Sequence, residues 1–197
     1  MFVTRLRELD TVIEKASYRA GSELCPSVAG DWICEKLHSS YGQGGICYVV
    51  GNGGSAGIAS HIANDCLKAL GLRALTLTDS NLVTCIGNDL GYENIYSAPL
   101  DILMKPEDIL IAISSSGQSK NIIKAARVAQ AKGAQIITLS GFLENNPLRL
   151  LGNLNIWLDS DEYGLIEVGH FFILHTIIDR YKSFINKNSR ELQCTLK

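Results

Sequence analysis

The sequence predicts an α/β fold with a parallel β-sheet that carries helices on both faces. Short apolar runs that end in glycine or polar residues alternate with segments of helical periodicity, which is typical of strand–helix repeats. Hydrophobic residues make up 46% of the 197 positions and charged residues 19%, which is enough apolar material for a core. We therefore expect one domain over residues 1–197, with N-terminal helices in 1–44 and an α/β unit in 45–197, divided at the glycine-rich residues 41–45.

The predicted elements follow from local patterns. Apolar residues recur at helical spacing from Phe2 to Ala16, and the run around Val49 is short, apolar and closed by glycine. The predicted helices or helical turns are residues 2–20, 28–38, 55–70, 81–87, 92–100, 118–132, 147–151 and 166–184. The predicted strands are residues 45–50, 72–78, 108–113, 134–140 and 154–158, which gives five parallel strands.

Charge and composition exclude several classes of protein. The formal net charge is -2 and the isoelectric point about 6.1, so there is no basic surplus for binding nucleic acid. No apolar run reaches the ~18 residues of a membrane span. The six cysteines form no CxxC pair, and the N-terminus does not resemble a secretory leader. We therefore expect a cytoplasmic protein with reduced thiols.

Two loops at predicted strand ends are rich in glycine and serine. Residues 51–57 read GNGGSAG and residues 114–119 read SSSGQS, and each opens a predicted helix. Free backbone N–H groups, the helix dipole and hydroxyl donors attract an anion there. Ordinary turn and capping chemistry would explain one such loop. Two loops at neighbouring sheet positions favour a phosphate site.

The first loop matches neither common nucleotide motif. No lysine follows its glycines, which disfavours a GxxxxGK[ST] triphosphatase, and its glycine spacing is not GxGxxG. A small phosphorylated metabolite therefore fits better than ATP or NAD.

Two histidine–carboxylate pairs lie at helical spacing. His61 and Asp65 share one face of the helix after the first loop, and Glu167 and His175 project about 80° apart on the last predicted helix. His170 projects about 140° from His175, to another face. The residues alone leave three interpretations open, namely a zinc site, an acid/base set or unrelated pairs.

Four segments of the chain resemble the bacterial phosphoheptose isomerases of the sugar isomerase (SIS) domain superfamily. They are GNGGSAGIASH (51–61), IGNDLG (86–91), ISSSGQS (113–119) and ExxHxxxxH (167–175). The resemblance covers nearly the whole chain and implies a SIS-type five-stranded parallel sheet, a homotetramer, one zinc per subunit and interconversion of sedoheptulose 7-phosphate with an aldoheptose 7-phosphate.

The resemblance also implies roles for individual residues. It places Asp65 and His175 as catalytic, and His61, Asp65, Glu167 and His175 as metal ligands. The positions that match substrate contacts are Asn52, Gly53, Gly54, Ser55, Asn88, Asp89, Ser114, Ser115, Ser116, Ser119 and Glu167. Two positions depart from the family pattern, since the family usually has glutamate in place of Asp65 and glutamine in place of Glu167.

The resemblance implies an enediol mechanism in which Asp65 moves the proton between carbons and His175 moves protons between oxygens. Two alternatives remain at this point. The chain could isomerise a different phosphosugar, which the departures at Asp65 and Glu167 would suit, or it could be a non-catalytic SIS domain that senses a phosphosugar or binds a partner protein.

Overall fold

The computed structural model describes the backbone of residues 1–195 and the side chains of residues 1–186. The strands are β1 (Ser17–Ala20), β2 (Ser22–Leu24), β3 (Cys47–Val50), β4 (Ala74–Leu75), β5 (Ile109–Ile113), β6 (Gln135–Ser140) and β7 (Leu154–Trp157). The helices are α1 (Phe2–Glu14), α2 (Pro26–Gly42), α3 (Gly54–Leu70), α4 (Ser80–Asp89), α5 (Ser97–Leu103), α6 (Lys120–Lys132) and α7 (Tyr163–Thr195), with short 3-10 helices at Tyr92–Asn94 and Pro147–Leu150.

The five predicted parallel strands form the centre of the fold. They lie in the order β7-β6-β5-β3-β4, and their pairings are all parallel. β3 and β5 are neighbours, with Val50 opposite Ala112. Because the carboxyl ends of parallel strands meet at one edge of the sheet, the loops after β3 and β5 lie side by side.

The sheet has seven strands, and the prediction of helix over residues 2–20 is wrong beyond residue 14. Helix α1 ends at Glu14, and β1 and β2 form a hairpin around Gly21, whose φ of 74° suits glycine. β1 pairs antiparallel with β7, with Tyr18 opposite Ile156. This pairing satisfies the free edge of β7 and buries Tyr18, neither of which helical periodicity can reveal.

Helices cover both faces of the sheet, as predicted. One apolar cluster joins the sheet to α2, α3 and α7, and α1 packs against it. The other joins the opposite face to α5 and α6. Helix α3 packs along α7, which places the residues after β3 against the C-terminal helix. Among the residues that the structure describes, no helix is both long and apolar enough to cross a bilayer.

Candidate active site

A polar pocket of about 280 Å³ lies beyond the ends of β3 and β5. The N-termini of α3 and α6 meet there, and α7 closes one side. Two loop glycines have backbone angles that favour glycine, with φ of 52° at Gly53 and 64° at Gly117. The lining residues are Asn52, Gly53, Gly54, Ser55, Ile113, Ser114, Ser115, Ser116, Ser119, Tyr163 and Glu167.

The serine loop carries hydroxyl groups and free helix N–H groups into this pocket. The Ser114 hydroxyl donates to Ser119 Oγ at 3.1 Å, and the Gln118 backbone N–H donates to Ser116 Oγ at 3.3 Å. Ser114 and Ser115 are buried, and the Ser115 carbonyl accepts from Gly141 N–H at 2.8 Å. Hydroxyl and backbone N–H donors at a helix N-terminus suit a phosphate group.

The glycine loop is held by amide and phenol groups. The Asn52 and Asn121 side chains exchange two hydrogen bonds, of 2.9 and 2.7 Å. The Tyr92 hydroxyl donates to Asn52 Oδ1 at 3.3 Å, and the Tyr96 hydroxyl donates to the Gly51 carbonyl at 2.5 Å. Burial raises the pKa of Tyr96 to about 12, so this phenol stays a donor at physiological pH.

His61, Asp65 and His175 converge in the groove between α3 and α7. His61 Nε2 lies 3.0 Å from His175 Nε2 and 3.3 Å from Asp65 Oδ2. His175 Nδ1 lies 3.7 Å from the same carboxylate oxygen. The side chains are partly exposed, at 50% for His61, 25% for Asp65 and 40% for His175, so solvent or substrate reaches them.

This donor set fits a divalent cation. One ligand atom from each of the three residues lies within 4.8 Å of the other two. Two imidazole nitrogens that face each other can share only one hydrogen bond, whereas both lone pairs can point at a metal. Imidazole and carboxylate together suit zinc, and three ligands leave a position open.

Glu167 lies apart from that trio. Its carboxylate occupies the space that a Cβ on Gly54 would need, at the N-terminus of α3, where the helix dipole favours negative charge. Glu167 also lines the serine pocket. The structure therefore places Glu167 in the wall of the serine pocket and not in the group of His61, Asp65 and His175, with which it was predicted to bind a metal.

The remaining predicted residues lie outside this pocket. Asn88 and Asp89 are exposed at the end of α4 and bond to each other, with Asn88 Nδ2 2.8 Å from Asp89 Oδ1. His170 is fully buried on another face of α7 than His175, and its Nε2 lies 3.1 Å from the Ser140 carbonyl oxygen. That placement matches the sequence prediction that the two histidines do not share a site.

Sequence reasoning missed three side chains around the site. Phe171 meets both histidine rings edge-on, with ring centroids 5.0 Å from His61 and 4.8 Å from His175. Tyr163 lines the pocket beside Glu167, and Asn121 holds Asn52. Only Asn121 had a sequence signal, because it stands in the first turn of the helix that follows the serine loop, two residues after Ser119.

Comparison with known proteins finds relatives that cover most of the chain. Residues 32–141 match the family model of the SIS domain. A curated phosphoheptose isomerase from Geotalea daltonii is 35% identical over 172 residues, which cover 84% of this chain and 88% of the relative. Another from Burkholderia pseudomallei is 39% identical over 153 residues, or 74% and 76% of the two chains.

A solved structure shares the fold over most of its length. A phosphoheptose isomerase from Francisella tularensis superimposes with a TM-score of 0.79 at 26% identity, covering 91% of this chain and 94% of that chain. On this evidence, the chain belongs to the SIS domain family and, within it, to the phosphoheptose isomerases.

Proposed function

We propose that this protein is an aldose–ketose isomerase that interconverts sedoheptulose 7-phosphate and an aldoheptose 7-phosphate through an enediol. The observation that carries the proposal is the placement of an anion pocket and a His–Asp–His cluster along the same pair of helices. The sequence relationship to phosphoheptose isomerases supports the substrate class.

The spacing between the two features suits a sugar phosphate of about seven carbons. Ser55 and His61 are six residues apart on α3, or about 9 Å, and Glu167 and His175 are eight apart on α7, or about 12 Å. An extended chain from the phosphorus to the second carbon of a heptose 7-phosphate also spans about 9 Å. The phosphate at one end and the carbonyl at the other can therefore be held together.

Each catalytic step has a candidate group in the cluster. Asp65 takes the proton from the carbon beside the carbonyl and returns it to the neighbouring carbon, and His175 moves protons between the two oxygens. Phe171 covers one side of both imidazoles. Aspartate is shorter than the glutamate that the family usually has at this position. The Asp65 carboxylate can therefore reach the substrate carbon only if α3 and α7 lie close together.

Zinc is the metal that we propose for His61, Asp65 and His175. When bound, it polarises the sugar carbonyl and stabilises enediolate charge. Only the resemblance includes Glu167 among the proposed zinc ligands. Its position beside Gly54 favours contact with the substrate.

The substrate contacts that we propose are in two groups. Ser114, Ser115, Ser116 and Ser119 hold the phosphate, and Asn52, Gly53, Gly54, Ser55, Asn88, Asp89 and Glu167 contact the sugar. The serine pocket supports the first group. The second group includes Asn88 and Asp89 by resemblance alone.

We also propose a homotetramer. Apolar side chains of α1 and α7 remain exposed, including Phe2, Leu6 and Phe172, and an apolar groove of about 520 Å³ runs between these helices. Contiguous surface of this kind is usually covered by a partner. Sedimentation of a stable 21.5 kDa monomer at micromolar concentration would refute the tetramer.

Turnover of sedoheptulose 7-phosphate tests the function directly. We expect an aldoheptose 7-phosphate to accumulate in an NMR time course with zinc present. Asp65→Asn is the matched variant, because it keeps the size and removes the base, and it should lose most of the activity. Phosphosugar binding without turnover by the zinc-loaded protein would favour the sensor hypothesis.

A further inference from the structure

Asn52 is assigned to the substrate by resemblance, yet its side chain is engaged within the protein. Its Oδ1 accepts hydrogen bonds from Asn121 and Tyr92, and its Nδ2 donates to Asn121. Two of the three bonds form a reciprocal pair, in which the Nδ2 of each amide donates to the Oδ1 of the other. The Asn52 oxygen and one of its two amide N–H groups are thus already engaged within the protein, which leaves one N–H for a sugar hydroxyl.

The partner, Asn121, lies outside the pocket and is buried. Only 2% of its surface is exposed, and it is the second residue of α6, directly after the serine loop. The amide pair therefore ties the glycine loop after β3 to the helix that carries the serine loop after β5. These residues are 69 positions apart in the chain.

A rigid link between the two loops matters for phosphate binding. The glycine loop contains Gly53, with φ of 52°, and glycine-rich backbone loses much conformational freedom when it is fixed. Hydrogen bonds that hold the loop in its binding form lower that cost before the ligand arrives. Tyr96 adds a second link through the Gly51 carbonyl.

We infer that Asn121 is a positioning residue, and that Asn52 acts mainly through it: the reciprocal amide pair locks the glycine loop against the serine loop and so pre-forms the phosphate site. The inference rests on the proposed function in that the anion is taken to be the substrate's phosphate. Asn121 itself neither lines the pocket nor belongs to the His–Asp–His cluster.

A double-mutant cycle separates this role from direct substrate contact. The four proteins are wild type, Asn52→Ala, Asn121→Ala and the double variant. We measure the Kd of inorganic phosphate by ³¹P NMR and the KM and kcat for sedoheptulose 7-phosphate. Asn145→Ala is the control, because Asn145 is exposed and outside the pocket.

Each single variant should raise the phosphate Kd and the KM about tenfold, since each loses both bonds of the reciprocal amide pair, while kcat stays within about threefold. Asn52→Ala also loses the bond from Tyr92, and Asn121→Ala also loses the bond from the Ile122 N–H. The double variant should be no worse than either single variant. Losses that multiply to about a hundredfold would show that Asn52 binds the ligand independently and would overturn the inference. A lower melting temperature with unchanged phosphate affinity would also overturn it.

Tyr92→Phe provides a milder variant that should fold, because Tyr92 is 58% exposed and the change removes only the hydrogen bond to Asn52. It should weaken phosphate binding about twofold to threefold in the wild-type background and have no effect in the Asn52→Ala background. An equal effect in both backgrounds would contradict the inference. If the phosphate cycle is non-additive but the wild type does not turn over the sugar, the inference holds and the proposed function fails.

Discussion

His170 should make the protein acid-sensitive. Burial lowers the pKa of His170 from 6.5 to about 4, because the charged imidazolium would lose its hydration, and the hydrogen bond to the Ser140 carbonyl offsets only part of this. In the unfolded chain the same imidazole binds a proton near pH 6.5. The unfolded state therefore holds more protons between these two values, and the free energy of unfolding falls as the pH falls through that window.

The size of the effect follows from the difference between the two pKa values. The two pKa values differ by about 2.5, and each pKa unit corresponds to about 1.36 kcal/mol, so His170 can change the free energy of unfolding by at most about 3 kcal/mol. Of this, about 2 to 3 kcal/mol should be lost between about pH 7 and about pH 4.5. Aspartates and glutamates contribute to the same window, so the wild type alone cannot isolate the histidine.

His170→Gln isolates it, because glutamine keeps an N–H donor for Ser140 and does not titrate. Urea unfolding at fixed protein concentration, followed by circular dichroism, gives the free energy of unfolding at each pH. The difference between wild type and variant should change by about 2 to 3 kcal/mol across the window. A difference that is constant with pH would refute the desolvation argument. The variant should keep its turnover and zinc content at about pH 7, since His170 lies on another face of α7 than His175.

Three further predictions concern the site. His61→Ala should reduce the zinc content from about one per chain to near zero by elemental analysis. The control is His38→Ala, which should keep the zinc content of the wild type, because His38 lies beside Tyr181. Ser116→Ala with Ser119→Ala should raise the KM for the phosphosugar at least tenfold, because each lost donor to a charged group costs about 1.5–3 kcal/mol, and an unchanged KM would place the phosphate elsewhere. Gly117→Ala should lower the free energy of unfolding by about 3 kcal/mol in thermal melts, because φ is 64° and the new Cβ would overlap the buried Asn146 side chain.

Local patterns in the sequence predicted most of the fold. All five parallel strands occur where apolar runs predicted them, although β4 is only Ala74–Leu75. The helix prediction over residues 118–132 agrees with α6 within two residues at its start. These elements are predictable because periodicity and glycine positions act over a few residues.

The sequence also located the glycine loop and the serine loop, since both follow buried strands and both open helices. Helical spacing in the sequence paired His61 with Asp65 on one helix and placed His175 on another. Only the resemblance to a known family predicted that these three residues share one site. The contact between His61 and His175 spans 114 positions, and only the packing of α3 against α7 creates it.

Tertiary structure alone decided three features. Residues 17–20 form a strand because the edge of β7 offers unpaired backbone groups. Glu167 lies beside Gly54 rather than with His61, Asp65 and His175 because the missing Cβ leaves room for its carboxylate. Asn121 reaches Asn52 because β3 and β5 are neighbours in the sheet. Each depends on which elements become neighbours in space, and one-dimensional periodicity carries no information about that.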